Sequence, residues 1–252
     1  MRPIAPSMMA AAILVSAMML GVSVSTRADE IRVISSNALK PVLEQVSPEF
    51  ESATGHKLVF TWGQAEILKG TSFDLAVLTA AVIDSLIMQG RLIGTTRTPV
   101  AVSAAGLAVR KGAVKPDIST VESFKRTLLN ASSITFGEQG GTGAYLRALF
   151  LRLGIADALA GKLRPLRVEQ GPAEAVADGD AEVALTQISE ILPYAGAELV
   201  GPLPREVQLT TTYVAAVGAG TLQADAAARL IRIITAPAAA AVLKAKGLDP
   251  AG

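Results

Sequence analysis

The 252-residue sequence contains no cysteine and one histidine, His56. The first absence excludes a disulfide framework, a thiolate metal site and a lipid-anchored cysteine. The second all but excludes a histidine-based triad or a multi-histidine zinc site. Aromatic residues make up only 4% of the chain, although apolar residues make up 50%. The core must therefore be built from Ala, Val, Leu and Ile, which suits strands and helices packed in α/β layers. No basic run is present, so nothing points to nucleic acid as a partner. Walker loops, nucleophile elbows and metal-ligand clusters are missing too. In "GEQGGTGA", Ala144 follows Gly143 where a phosphate-binding loop requires lysine. There is no internal repeat, no low-complexity stretch and no evident linker.

What is present begins at the N-terminus. Arg2 gives a short positive start, residues 8–24 carry no charge, and Thr26-Arg27-Ala28 forms a small–x–small site. Residues 1–28 read as a signal peptide cut after Ala28, which places the mature protein in the periplasm. The 17 uncharged residues are short of the roughly 20 that a membrane-spanning helix needs. Without Arg2 and Arg27 the mature chain has 21 basic and 22 acidic residues, a net charge of −1.

From residue 29 onward, strand-like and helical runs alternate. "IRVIS" precedes a helical stretch over residues 38–54, "KLVFTW" a short helix over 65–69, and "DLAVLT" a helix that stops at Gly90. This βαβαβα order predicts a mainly parallel sheet, and the continuous apolar runs predict strands covered on both faces. The pattern continues with strands over 103–112, 132–137 and 181–187. A helix is expected to begin behind Ser119 and Glu122, which are spaced as a capping box. Another follows from Thr142 to Gly154, and two more close the chain around Pro237. Extended segments 99–110 and 203–216 are the candidates for crossing between two lobes. They give lobes of 29–104 with 209–252, and of 105–208.

Four segments share one design: "ISSNALKP", "TWGQAEI", "GEQGGTGAYL" and "LTQISEI" each end a strand, place small polar residues next, and start a helix. In open α/β sheets ligands bind outside the carboxyl ends of the strands. Free N–H groups of a first helical turn favour an anion there. Ser36 or Asn37 can cap the first helix, Thr142 the one starting at Gly143. Each alone also reads as an ordinary cap that needs no ligand. His56 reads as an exposed turn residue, Arg97 as a surface arginine, and Trp62 as lining either a cleft or the core. Glu138 is open between ligand contact and surface.

The stretches "IRVISSNALKPVLEQVSPEFESATGHKLVFTWG", "FDLAVLTAAVIDSLIMQGRL", "GEQGGTGAYLRALFLRLGIADAL" and "AAAAVLKAKGLDP" together resemble the periplasmic molybdate-binding proteins, the substrate-binding components of ABC importers. The resemblance spans nearly all of the mature chain. It implies the type II periplasmic binding fold: two α/β lobes joined by a two-strand hinge, each lobe a mainly parallel sheet flanked by helices. It also implies a monomeric, non-enzymatic binder that holds a small oxyanion without a cation or other cofactor and delivers it to an ABC permease. On the family pattern the ligand loops fall on Ser35, Ser36, Asn37 and Ala38, on Gly63 and Gln64, on Thr142 and Gly143, near Glu169 and Gln170, and on Gln187. The sequence departs from that pattern at Ala38, where a serine is usual, at the serine-poor second loop, and at Gln187, where a tyrosine is common. Amide side chains donate and accept, so a small organic acid fits the lining as well as molybdate does. An enzyme or a sensory module on the same fold are the remaining alternatives. The first is opposed by the missing cysteine and the single histidine.

Overall fold

A computed structural model describes residues 29–63, 70–138, 140–167 and 170–251. The signal-peptide segment, the short helix expected over residues 65–69 and the candidate ligand residues Gln64 and Glu169 lie outside the described residues.

The first β-strands follow the apolar runs. β1 (Glu30–Ser35) pairs in parallel with β2 (Lys57–Trp62) and with β3 (Leu75–Thr79). Helix α1 (Lys40–Thr54) connects the first two strands. Its buried residues Val42, Leu43, Val46 and Phe50 recur at helical spacing on one face. Helix α2 (Ala80–Met88) follows β3 directly and buries Ile83 and Leu86. Each large aliphatic side chain so buried contributes about 1.5–3 kcal/mol.

β4 (Thr98–Arg110) is the longest strand at 13 residues, and it joins everything else. Its first half pairs antiparallel with β8 (Thr210–Val217), which in turn pairs antiparallel with β3. Its second half pairs antiparallel with β6 (Val183–Gln187) and β7 (Ala197–Pro202). β5 (Ile134–Phe136) adds to β6 in parallel, and β9 (Asp249–Pro250) pairs with β4 near its start. The parallel register expected from the sequence holds for β2-β1-β3 and for β5-β6. The strands that connect these groups run antiparallel, giving a mixed, curled sheet flanked by helices.

Helices α3 (Val121–Asn130), α4 (Gly141–Arg152), α5 (Ala156–Ala160), α6 (Pro172–Asp178) and the one-turn α7 (Ile188–Ile191) pack around β5, β6 and β7. Helices α8 (Ala224–Thr235) and α9 (Ala239–Ala245) close the chain against the first strands. The capping box of α3 is built one residue later than the sequence spacing suggested. Thr120 accepts from Ser123 N–H, and the Thr120 N–H donates to the Ser123 hydroxyl.

The apolar side chains gather in separate cores. Two clusters draw on residues 31–101 and 213–248, the others on 105–207. β4 contributes Val100 and Ala101 to one side of this division and Ala105, Leu107 and Val109 to the other. Between them stands Ser103, a buried polar residue on the same strand.

Candidate functional site

The carboxyl ends of β1, β5 and β6 lead into helical turns, and the polar residues at these ends collect where the two sets of cores meet. At the end of β1, Ser36 occupies the cap position of a 3-10 turn, Asn37–Leu39, that runs on into α1. Its side chain makes no cap bond. Ser36 is 8% exposed, and its Oγ has no hydrogen-bond partner. Asn37, beside it, is exposed. Ser35 is different. Its hydroxyl turns into the sheet and donates to Val77 O at 3.1 Å, with Ser36 O at 3.3 Å. That removes Ser35 as a donor to a ligand.

Thr142 lies in the first turn of α4, not at its cap. The cap is Gly140, whose φ of 88° is accessible to glycine at no steric cost. The Thr142 hydroxyl is therefore not needed by its own helix. It accepts instead from Gln187 Nε2 at 3.0 Å. The same nitrogen donates to Thr211 Oγ1 on β8 at 3.1 Å. One amide thus ties the end of β6 to α4 and to β8. Gln187 is 2% exposed, and its Oε1 is left without a partner. Directly after it, α7 packs against the 3-10 turn of Asn37–Leu39, and Ser189 Oγ sits 3.4 Å from Ser103 Oγ on β4. A buried polar atom without a partner costs about 1–3 kcal/mol. This region holds two, Ser36 Oγ and Gln187 Oε1.

Glu190 is the ionisable neighbour. The residue as a whole is partly exposed, but its carboxyl lies deep. Burial pushes its pKa up, opposed by hydrogen bonds from the Thr186 hydroxyl and the Gln187 N–H. The latter contact is the reach-back of a helix-capping glutamate. Its charge also raises the pKa of Tyr213 on β8, where burial is the larger cause. Tyr194 is raised by burial, then by Glu174, Glu190 and Glu44. Glu44 lies on α1, so α1, α6 and α7 all bring carboxyl groups toward that tyrosine.

Other expectations change. Gly63 uses its N–H on Ser35 O at 2.8 Å, which takes that amide away from a ligand. Gly143 is required by the backbone. A Cβ there would lie 2.1 Å from Gly137 O and 2.9 Å from Glu138 O, so close chain approach by itself calls for a glycine. Gln170 is engaged at the surface, where its Nε2 donates to Asp180 at 2.8 Å and Asp178 at 3.2 Å and its Oε1 accepts from Arg167 N–H. Arg97 makes a two-pronged ion pair with Asp84. Trp62 stacks on Phe60 with 4.7 Å between ring centres and covers the edge of the first core. The structure brings Ser36, Asn37, Thr142 and Gln187 to the meeting of the cores and adds Thr211, Ser103, Ser189 and Glu190. The run "TTTYV" on an expected crossing strand was the available signal for Thr211. Nothing local singled out Glu190.

A surface depression of about 660 Å³ lies elsewhere, between Lys115, Ile118, Pro202, Pro204, Arg205 and Gln208. It includes neither Ser36 nor Gln187, but it holds Gln208, whose buried Oε1 also lacks a partner.

Residues 31–249 match the family of bacterial extracellular solute-binding proteins, and the chain belongs to that family. Aconitate isomerase from a Pseudomonas species is 29% identical over 231 residues, covering 87% of each chain. Among solved structures, the periplasmic molybdate-binding protein of Azotobacter vinelandii superposes with a TM-score of 0.69 at 20% identity, over 86% of this chain and 98% of that one. The sulfate-binding protein of Mycobacterium tuberculosis gives 0.65 at 15% identity, over 88% and 87%. These likenesses establish the periplasmic-binding-protein fold.

Proposed function

We propose that this solute-binding protein captures a small organic carboxylate between two lobes, residues 29–104 with 209–252 and residues 105–208, in the periplasm. The observation that carries the reading is the lining built around Gln187. Its amide holds Thr142 and Thr211, and the unpaired Ser36 Oγ precedes the 3-10 turn that packs against α7. A hydroxyl donor and the free amides at the start of the 3-10 turn suit a carboxylate oxygen. The acceptor Gln187 Oε1 is out of place against any ligand that presents acceptors alone, molybdate included, and an organic acid can carry a donor beside its carboxylate where molybdate cannot. Ligand contacts from both lobes stabilise the closed form, since a ligand shifts a conformational equilibrium by its differential affinity. The closed form is then what an ABC permease receives, and β4 with β8 forms the two-strand hinge.

A second reading comes from the 29% identical aconitate isomerase: catalysis on a bound carboxylate. Glu190, a carboxyl beside the lining whose pKa burial raises, is the ionisable group placed to exchange a proton with a bound carboxylate. Both readings share the substrate class and separate on turnover.

The test is a thermal-shift and calorimetric screen of the mature chain with molybdate, tungstate, sulfate, phosphate, succinate, malate, citrate and trans-aconitate. A carboxylate at about 100 times its dissociation constant adds about 2.7 kcal/mol of stability. Thr142→Ala weakens that ligand by about 1–3 kcal/mol. Saturation by molybdate with no response to any carboxylate defeats the reading. Conversion of trans-aconitate in the same tubes, followed by absorbance, decides for the enzyme.

A further inference from the structure

We infer that the ligand is a hydroxy-carboxylate whose alcohol hydroxyl donates to Gln187 Oε1. This rests on the carboxylate reading above and names the ligand class more narrowly. Gln187 Nε2 has two hydrogens, and both are committed, one to Thr142 Oγ1 at 3.0 Å and one to Thr211 Oγ1 at 3.1 Å. The remaining polar atom of the side chain, Oε1, can only accept. It is enclosed, and no protein group donates to it. The residue is 2% exposed, so bulk water does not complete it. A ligand that closes the site must therefore bring a hydrogen-bond donor to this point.

The carboxyl groups of a small acid titrate near pH 4 and carry no proton at neutral pH. A simple dicarboxylate thus presents acceptors only, and set against Oε1 it places two lone-pair atoms face to face. An alcohol hydroxyl is the donor that a small acid retains. Ser36, just before the 3-10 turn that packs against α7, offers the donor. Its unpaired hydroxyl, beside the exposed Asn37 at the start of the 3-10 turn, donates to a carboxylate oxygen. The site then reads as one acceptor and one or more donors, the mirror image of a hydroxy acid. A half-turn of the amide would put Oε1 on the two threonine hydroxyls and Nε2 toward the ligand. That arrangement favours a donor-free anion, so the two orientations predict opposite preferences.

The experiment is a calorimetric cycle at pH 7.5 on the full mature chain. Malate is compared with succinate, and citrate with tricarballylate, each pair differing by one hydroxyl. Wild type is compared with Gln187→Leu. Wild type should bind the hydroxy member of at least one pair about tenfold or more tightly, and Gln187→Leu should bring that ratio to within about twofold of unity. Equal binding within both pairs by the wild type, or a preference that survives in Gln187→Leu, overturns the inference while leaving carboxylate capture intact. If Gln187→Leu does not fold, the wild-type pairs decide alone, together with Thr211→Val, which frees one Nε2 hydrogen and should relax the preference. Binding of molybdate or sulfate with no response to all four acids overturns the carboxylate reading itself.

Discussion

The two ends of the first strands treat buried polar groups in opposite ways. At the amino end of β3, Asp74 is 3% exposed and fully engaged. Its carboxylate accepts from Arg32 N–H at 2.8 Å, from Arg32 Nε at 3.4 Å and from Thr221 Oγ1 at 2.7 Å, which stitches β1, β3 and the turn after β8 together. At the carboxyl end of β1, Ser36 Oγ is buried without a partner, as is Gln187 Oε1 at the carboxyl end of β6. Buried polar groups are almost always hydrogen-bonded. The closed set at one end contributes to stability. The open set at the other end lowers stability and, on the proposed function, is where a ligand would make its contacts.

Four substitutions test that contrast. The largest effect is expected from Gly143→Val, which drives a side chain into Gly137 O. It should lower stability by about 3 kcal/mol or more, read as a fall in denaturation midpoint. A variant with wild-type stability would return Gly143 to the ligand side of the contrast. Next, Asp74→Ala takes the acceptor from Arg32 N–H and from the Thr221 hydroxyl hydrogen, although Thr221 Oγ1 still accepts from Gln223 N–H, and should cost about 2–3 kcal/mol. The Arg32 side chain is 52% exposed, so its ion pair adds little to that sum. Ligand affinity per folded molecule should not change, and a tenfold loss in calorimetry would break the division of labour.

Ser36→Ala should behave in reverse. Removing an orphaned hydroxyl leaves stability unchanged or raises it by up to about 1 kcal/mol, while affinity for the carboxylate found in the screen falls about tenfold. Loss of stability without loss of affinity would make Ser36 an ordinary structural residue.

The smallest effect belongs to Glu190. Burial raises its pKa above the ordinary carboxylate value of 4.5. The folded protein therefore binds its proton more tightly than the unfolded chain does. The resulting stability is complete below the unfolded pKa and is lost as pH rises through the folded pKa. Glu190→Gln keeps the capping contact without the titration. Melts from pH 4 upward should show the wild type losing ground against the variant, and parallel curves would place the carboxyl in water.

Much of the fold was legible because it rests on local periodicity. The apolar runs of β1, β3 and β6 and the spacing of Val42, Leu43, Val46 and Phe50 each follow from a pattern within a dozen residues. The glycine-rich turn before α4 was legible too, although it placed the cap at Thr142 instead of Gly140. Less of the site was legible. Ser36, Thr142 and Gln187, read as ligand residues, carry unpaired or exchanged contacts. Ser35, Gly63 and Gln170, equally plausible in sequence, turn out to be engaged with the protein itself.

What the sequence determined is the order of elements, the apolar faces and the polar chemistry at the strand ends, since these depend on neighbours a few residues apart. Tertiary structure alone decided which polar atoms remain unpaired. Ser35 and Ser36 are adjacent and chemically identical, yet Val77 O on β3 accepts from the hydroxyl of Ser35 but only from the backbone N–H of Ser36, whose hydroxyl is left unpaired. Gln187 meets Thr142 from 45 residues upstream and Thr211 from 24 downstream. Hydrogen bonding is short-ranged and directional, so a site defined by which bonds are missing exists only once distant strands are set side by side.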